Sequence, residues 1–186
     1  MSETKYLGLT IDNTLKWHSH VANVAKKVNI NNARLRRSKD KLPIPIKLKI
    51  HNSLNIPVMD YAATVWGTFN QTNLKDISRL EHMSARAFSG NYDFINTRGE
   101  HLMTELGMSN FLSRNRYYLA IIMYKAIHGL VPQHISNNIL FSYEISHRNL
   151  RSFDNMNLYK TKPNCEPFKN SLQYTGACVW NDLPLH

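Results

Sequence analysis

The side chains in this sequence that are best suited to a binding role are the basic residues of its first predicted helix. They are Lys16, His20, Lys27 and Arg34 in one row, with Lys26 and Arg37 further round the helix. The spacings within the row are four, seven and seven residues, which place its members on one side of an α-helix. At 1.5 Å per residue the row is about 27 Å long. Cations in such a row are suited to the successive phosphates of a nucleic acid backbone.

The signs of the neighbouring charges favour this interpretation over an ordinary solvated helix face. No Asp or Glu occurs between residues 15 and 39, whereas exposed faces normally mix both signs. The chain has a net charge of +10, and residues 1–60 hold 11 of its 23 Lys and Arg but 4 of its 13 Asp and Glu. This asymmetry points to a polyanionic partner. Taken alone, the net charge is explained equally well by solubility.

Other kinds of chemistry have weaker support. The nine histidines show no zinc-type spacing, and no phosphate-binding loop or hydrolase motif is present, so we predict neither a metal site nor a catalytic residue. Asp12 is expected to cap a turn rather than bind a metal. Cys165 and Cys178 form no CxxC pair and predict reduced thiols in an intracellular protein. No apolar run is long enough for a membrane helix.

The elements that would position these side chains are mostly helical. Leu7, Leu9 and Ile11 alternate with small or polar residues, which predicts a strand, and no neighbouring segment offers it an obvious partner. A helix from Leu15 to Ser38 follows, and its predicted buried stripe consists of Trp17, Val21, Val24, Val28 and Leu35. We therefore predict a mainly α fold with one orphan β-strand from a missing sheet. The predicted domains are residues 1–14, a helical bundle over 15–141, and an irregular region over 142–186 with a terminal helix.

Several finer features of the bundle are also predicted. Ile46, Ile50 and Leu54 would form the buried face of a second helix that Pro57 interrupts. Thr97 and Glu100 have the spacing of a capping box. Two aromatic residues are ambiguous, because each could stack on a nucleobase or pack in the core, and their apolar neighbours favour the core. These residues are Tyr61 and Trp66.

Five motifs in order along the chain resemble one protein family. They are Tyr6-Leu7-Gly8-Leu9 with Ile11-Asp12, Leu15-Lys16-Trp17 and His20; then Leu54–Gly67, Leu80–Ala87, Met123–Pro132 and Tyr174–Pro184. Together they resemble the reverse transcriptases of non-LTR retrotransposons, the LINE elements of the jockey-like branch. In that family such segments close the polymerase palm and continue into the helical thumb and the C-terminal region.

The resemblance implies a role in holding nucleic acid. Tyr6, Leu7 and Gly8 would lie near the primer terminus, and the basic row would follow the backbone of an RNA–DNA template–primer duplex. The family's catalytic aromatic-Ala-Asp-Asp turn is not present, so we expect no polymerisation by this chain and Mg²⁺ only in the complete polymerase. The expected partners are that duplex and the missing palm and fingers, and the expected compartment is the nucleus.

Two other functions remain open. The chain could be a stand-alone basic helical protein that binds RNA or DNA. It could also be an interaction module whose exposed apolar surface docks on the missing palm.

Overall fold

The computed structural model of the chain describes residues 3–38, 41–67, 71–145 and 156–184. The chain forms two compact units, Met1–Arg114 and Asn115–His186, which are described separately below. Helices dominate the described residues, and these residues contain one small sheet, so the predicted mainly α class is confirmed. The predicted domain limits at residues 14 and 141 stay a prediction.

The first unit opens with a β-hairpin, so the prediction of an orphan strand was wrong. Strand β1 (Glu3–Tyr6) pairs antiparallel with β2 (Leu9–Asp12), and Tyr6 lies opposite Leu9. The two-residue loop between them consists of Leu7 and Gly8, both with positive φ. Such a short loop needs two left-handed residues in succession, which glycine at the second position makes easier.

Helix α1 (His18–Arg37) follows the hairpin after a turn that Asp12 organises. The Asp12 carboxylate accepts hydrogen bonds from the backbone N–H groups of Thr14, Lys16 and Trp17, as the sequence predicted. Partial burial raises the pKa of Asp12, but the Thr14 hydroxyl and these N–H groups lower it more, to about 2. The carboxylate is therefore ionised throughout the physiological range.

The buried face of α1 is the predicted apolar stripe with two polar additions, His20 and Asn32. Val21, Val24, Val28 and Leu35 are buried as predicted, and Asn32 is buried among them. The remaining helices of this unit are α2 (Ile44–Leu54), α3 (Ile56–Asp60), α4 (Ala63–Trp66), α5 (Gln71–Ser89), α6 (Gly99–Glu105) and the start of α7 (Phe111–Ile127).

The core of the first unit forms where α1 meets the short helices and α5. Trp66 is 1% exposed and stacks on Phe111 with ring centroids 5.3 Å apart, so it is a core residue. Tyr61 is half exposed, and its hydroxyl donates to the carbonyl of Leu7 at 2.7 Å. The Trp66 ring is therefore not a stacking platform, and the Tyr61 ring is tied to the hairpin through its hydroxyl.

Helix α2 turns a different side inward from the one its sequence predicted, and of the predicted face only Ile50 is partly buried. Ile46 and Leu54 are exposed, whereas Lys47 and His51 are buried. The Lys47 ammonium donates to the carbonyl of Phe88 at 3.1 Å, and His51 packs edge-on against the Phe88 ring. The predicted break near Pro57 is present, since α2 ends at Leu54 and α3 begins at Ile56.

Arg114 joins three segments of the first unit from a nearly buried position. Its guanidinium donates to both carboxylate oxygens of Asp60 and to Glu81 at 3.0 Å. It also donates to the carbonyl of Ser109. This arrangement connects α3, α5 and the loop before α7 by charge-assisted hydrogen bonds, which are stronger than neutral ones.

Helix α6 starts without the predicted capping box. The residue before it is Arg98, and no side chain caps the helix. The Thr97 hydroxyl instead accepts a hydrogen bond from Asn91, and the Thr97 carbonyl accepts one from Arg86. A capping-box pattern does not decide where a helix starts when the side chain of the expected cap, here Thr97, is used by contacts within the loop.

The second unit contains the rest of α7 and several short helices. They are α8 (Gln133–Ser136), α9 (Ser142–Ile145), α10 (Glu166–Lys169) and α11 (Leu172–Asn181). Its core contains Met123, Leu158, Ala177 and Trp180. The Asn181 amide accepts from the N–H of Leu158 and donates to its carbonyl. Part of the predicted irregular region, residues 146–155, lies outside the described residues.

Candidate nucleic-acid interface

The exposed side of α1 carries most of the predicted cations. Lys26, Lys27, Arg34 and Arg37 are exposed on the helix, and Lys16 is exposed in the turn before it. In the described parts of the chain, none of these five side chains forms an ion pair. We call these five residues the α1 basic face.

The α1 basic face follows from how the helix packs. The buried valines lie on one side, and Lys26 and Arg37 lie nearly opposite them, eleven residues or about three turns apart. That separation is about 17 Å along the helix axis. The exposed residues between them include Lys27, Asn29, Ile30 and Arg34, and none is a carboxylate. The cations can therefore contact several phosphates along one backbone.

Two carboxylates do lie near the N-terminal end of α1. Glu3 of the hairpin accepts a hydrogen bond from the Ser19 hydroxyl, and Asp12 occupies the turn described above. Both lie towards the hairpin, away from Lys27 and the C-terminal turns. The positive charge is therefore greatest in the second half of the helix.

His20 does not belong to the exposed row, and its predicted phosphate contact is excluded by burial. It is 5% exposed, and its Nδ1 accepts a hydrogen bond from the N–H of Thr10. Its ring lies edge-on to Trp17 and Trp66, with centroids 6.3 and 5.1 Å away. Burial and the nearby Lys27 charge lower its pKa. His20 is a core residue that joins the hairpin to α1.

The tip of the hairpin presents the other predicted residues to solvent. Tyr6 is 64% exposed and Leu7 is 71% exposed. Leu7 adopts a left-handed conformation, which costs a residue with a Cβ about 1 kcal/mol or more. The Tyr61 ring supports the tip, since a Cβ placed on Gly8 would lie 3.5 Å from it. An exposed apolar residue in a strained loop is a feature often found at functional sites.

One cation that the sequence analysis did not select also lies on α1. Arg36 is exposed, with its guanidinium 6.0 Å from the centre of the Tyr92 ring. Its position in the last turn, next to Arg37, was the available signal.

Among the described residues no group of three or more His, Cys, Asp or Glu could hold a metal ion. None of the described helices is long and apolar enough to cross a membrane.

Comparison with known proteins gives relatives of one kind. The chain is 29% identical over 97 residues to the RNA-directed DNA polymerase from mobile element jockey of Drosophila melanogaster. It is 28% identical over 89 residues to the probable RNA-directed DNA polymerase from transposon X-element of the same species. It is 27% identical over 99 residues to the jockey polymerase of Drosophila funebris.

These matches cover 50%, 46% and 52% of this chain but 11%, 10% and 11% of the relatives. The chain thus matches about a tenth of the length of each relative. No protein-family description and no solved structure matches it. The resemblance noted in the sequence is confirmed by these three relatives.

Proposed function

We propose, from the relationship of this chain to the RNA-directed DNA polymerases of retrotransposons, that it holds the template–primer duplex as a thumb-like part of such a polymerase. The observation that carries the proposal is the α1 basic face: five exposed cations without ion pairs in the described structure. Phosphate contacts of this kind position a duplex without reading its sequence. The ligand we assign is an RNA–DNA hybrid.

The hairpin tip has a second role in this proposal. Tyr6, Leu7 and Gly8 would contact the primer strand near its terminus, where an exposed apolar surface can pack on a sugar or base. The Tyr61 hydroxyl would keep the tip in place through its hydrogen bond to Leu7. A strained conformation held by a neighbouring ring is a preorganised contact, so less ordering is needed on binding.

The chemistry of polymerisation is assigned to other parts of the enzyme. Two carboxylates and Mg²⁺ ions clamp the reacting oxygens in such polymerases, and we propose that the palm supplies them. No catalytic residue and no cofactor are assigned to this chain. Its protein partner would be the palm and fingers, and its working compartment would be the nucleus.

Binding to a labelled RNA–DNA hybrid, followed by fluorescence anisotropy between 50 and 200 mM salt, tests the proposal. We expect sequence-tolerant binding with a log–log salt slope of about −3 to −5, for four to six neutralised phosphates. Replacing Lys16, Lys27 and Arg34 by Ala should weaken binding and make the slope less negative by about 2 to 3.

The matched control removes the same charge from the second unit. Lys160, Lys162 and Lys169 are exposed there, and their replacement by Ala should leave the slope nearly unchanged. Equal losses in both triple variants would show a diffuse charge effect, and no loss in either would refute the role of α1.

The exposed aliphatic residues of α2 favour one alternative function. Ile44, Ile46 and Leu54 are 40 to 48% exposed, and together they could dock on a protein such as the missing palm. In an interaction module of that kind, the α1 variants would bind the partner normally. A stand-alone RNA- or DNA-binding protein would instead show no preference for the hybrid over double-stranded RNA or DNA.

A further inference from the structure

Helix α7 carries an exposed row of aromatic side chains in the second unit. Tyr117 is 64% exposed and Tyr124 is 52% exposed, and His128 follows one turn after Tyr124. The spacings of seven and four residues place all three rings on one side of the helix. The opposite side buries Leu119, Met123 and Ala126. We call these three rings the α7 aromatic row.

The rings are held by contacts within the helix. Tyr124 and His128 stack with centroids 4.1 Å apart and an interplanar angle of 28°. The His128 Nδ1 donates to the carbonyl of Tyr124 at 2.8 Å, since a carbonyl oxygen can only accept. Tyr117 meets the neighbouring Tyr118 ring edge-on at 5.7 Å. Fixed orientations reduce the entropy lost when a ligand stacks on these rings.

The charge around the row favours an anionic ligand. No Asp or Glu occurs between Glu105 and Glu144, a stretch that includes all of α7. Lys125 is exposed beside Tyr124. Arg116 lies beside Tyr117 and reaches the exposed Asp182 at 3.3 Å, with both side chains more than half exposed, so this pair is weak.

We propose that the α7 aromatic row is a stacking site for single-stranded nucleic acid, independent of the duplex contacts assigned to α1. Tyr117 and Tyr124 are about 10.5 Å apart along the helix axis. With a rise of about 3.4 Å per stacked nucleotide, they match bases about three positions apart. Base–aromatic stacking tolerates any sequence, because every base has a π face. Lys125 and Arg116 contact the backbone beside the stacked bases.

A protein ligand fits the row less well than a single strand does. The exposed apolar surface of α2, the candidate for a protein contact, consists of isoleucine and leucine side chains. The α7 row instead consists of rings with polar tips, with Lys125 and Arg116 beside them and no carboxylate on α7 itself. Rings combined with cations are the composition of proteins that bind single strands.

Binding of the full chain to a fluorescein-labelled 12-mer of uridine, which does not pair with itself, tests this inference. The variant Tyr117→Leu/Tyr124→Leu keeps bulk but removes both rings. We expect about tenfold weaker binding for each ring lost, with an unchanged salt slope. The matched control Tyr117→Phe/Tyr124→Phe keeps the π faces and should bind within about twofold of the wild type.

The outcomes separate this inference from the function proposed for α1. The leucine variant should bind the RNA–DNA hybrid normally, because paired bases are already stacked on each other. Failure of the α1 test would leave the oligouridine result valid. Equal oligouridine binding by the leucine and phenylalanine variants would overturn the inference. So would a wild-type chain that ignores oligouridine, or a dimer that only the leucine variant abolishes.

Discussion

Helices α1 and α2 belong to the same unit and are both basic, yet they bury opposite kinds of residue. Helix α1 buries its valines and exposes Lys26, Lys27 and Arg34. Helix α2 buries Lys47 and His51 and exposes Ile44 and Ile46. The difference teaches that cationic helices alone do not mark a binding surface. Only tertiary packing shows which cations are available to a ligand and which stabilise the fold.

A buried polar network explains why α2 packs in this way. Asn55, at the end of α2, is 0% exposed and donates to Asn32 of α1 at 2.9 Å. The hydroxyl of Ser84, on α5, donates to the same Asn32 oxygen. The Asn55 amide also lies 3.1 Å from Nδ1 of His51. Each of these polar groups offsets the desolvation of another, so polar residues of α2 turn inward.

Among the changes that test this contrast between α1 and α2, the largest expected effect comes from breaking this network. Asn55→Ala removes the hydrogen bonds to Asn32 and His51 and leaves buried groups without partners. We expect a loss of about 3 kcal/mol in the free energy of unfolding, measured by urea denaturation at pH 7. The control Asn52→Ala, on the exposed side of α2, should change it by less than about 0.5 kcal/mol. Equal effects would mean that the two faces of α2 do not differ.

The second expected effect is a dependence of the free energy of unfolding on pH, through His51. Burial, and to a lesser degree the Arg114 charge, lower the pKa of His51 from 6.5 to about 4. Nδ1 can accept from the Asn55 amide only in the neutral ring. Between these pH values the unfolded chain binds a proton at this site and the folded chain does not. The contribution of His51 to the free energy of unfolding is therefore complete above about pH 6.5 and falls on acidification, by on the order of 2 kcal/mol at pH 5.

Two variants test this pH dependence, one at the buried His51 and one at an exposed histidine. His51→Gln, which keeps a polar partner for Asn55, should make the plot of unfolding free energy against pH less steep between pH 4 and 6.5. His101→Gln changes an exposed histidine of α6 and should leave the plot unchanged. A plot as steep in the His51 variant as in the wild type would contradict the assignment.

The smallest effect concerns the buried cation. Lys47→Met keeps the apolar stem but removes the hydrogen bond to Phe88, while it also relieves the cost of burying an ammonium group. These terms oppose each other, so we expect a loss of about 1 kcal/mol. Lys49→Met, on the exposed side of the same helix, should change the free energy of unfolding by less than about 0.5 kcal/mol. Reversal of this order would remove the contrast between α1 and α2.

The same contrast shows how far the sequence could be interpreted. The apolar stripe of α1, the break before Pro57 and the cap by Asp12 follow local rules of spacing and side-chain chemistry, and all were predicted. His20, Lys47 and His51 could not be placed in this way. Their burial depends on Trp66, Phe88 and Asn55, and periodicity within one helix does not report contacts with other helices.

The hairpin was missed for a different reason. Glu3–Tyr6 contains no strong strand pattern by itself, and it becomes a strand because Leu9–Asp12 pairs with it. The Leu7-Gly8 pair between them was the signal for a two-residue turn. For the candidate interface, five of the six predicted cations are exposed, and the sixth, His20, is buried. The salt titration described above tests whether the α1 basic face binds a duplex.

The contacts of Arg114 have a consequence for how this sequence can diverge. One guanidinium donates hydrogen bonds to both Asp60 and Glu81, so a change at any of the three positions affects the other two. Removing the arginine alone would leave two inward carboxylates without a counter-charge, at a cost of about 3–5 kcal/mol. Descendants of this gene should therefore either keep all three residues or replace them together with apolar ones.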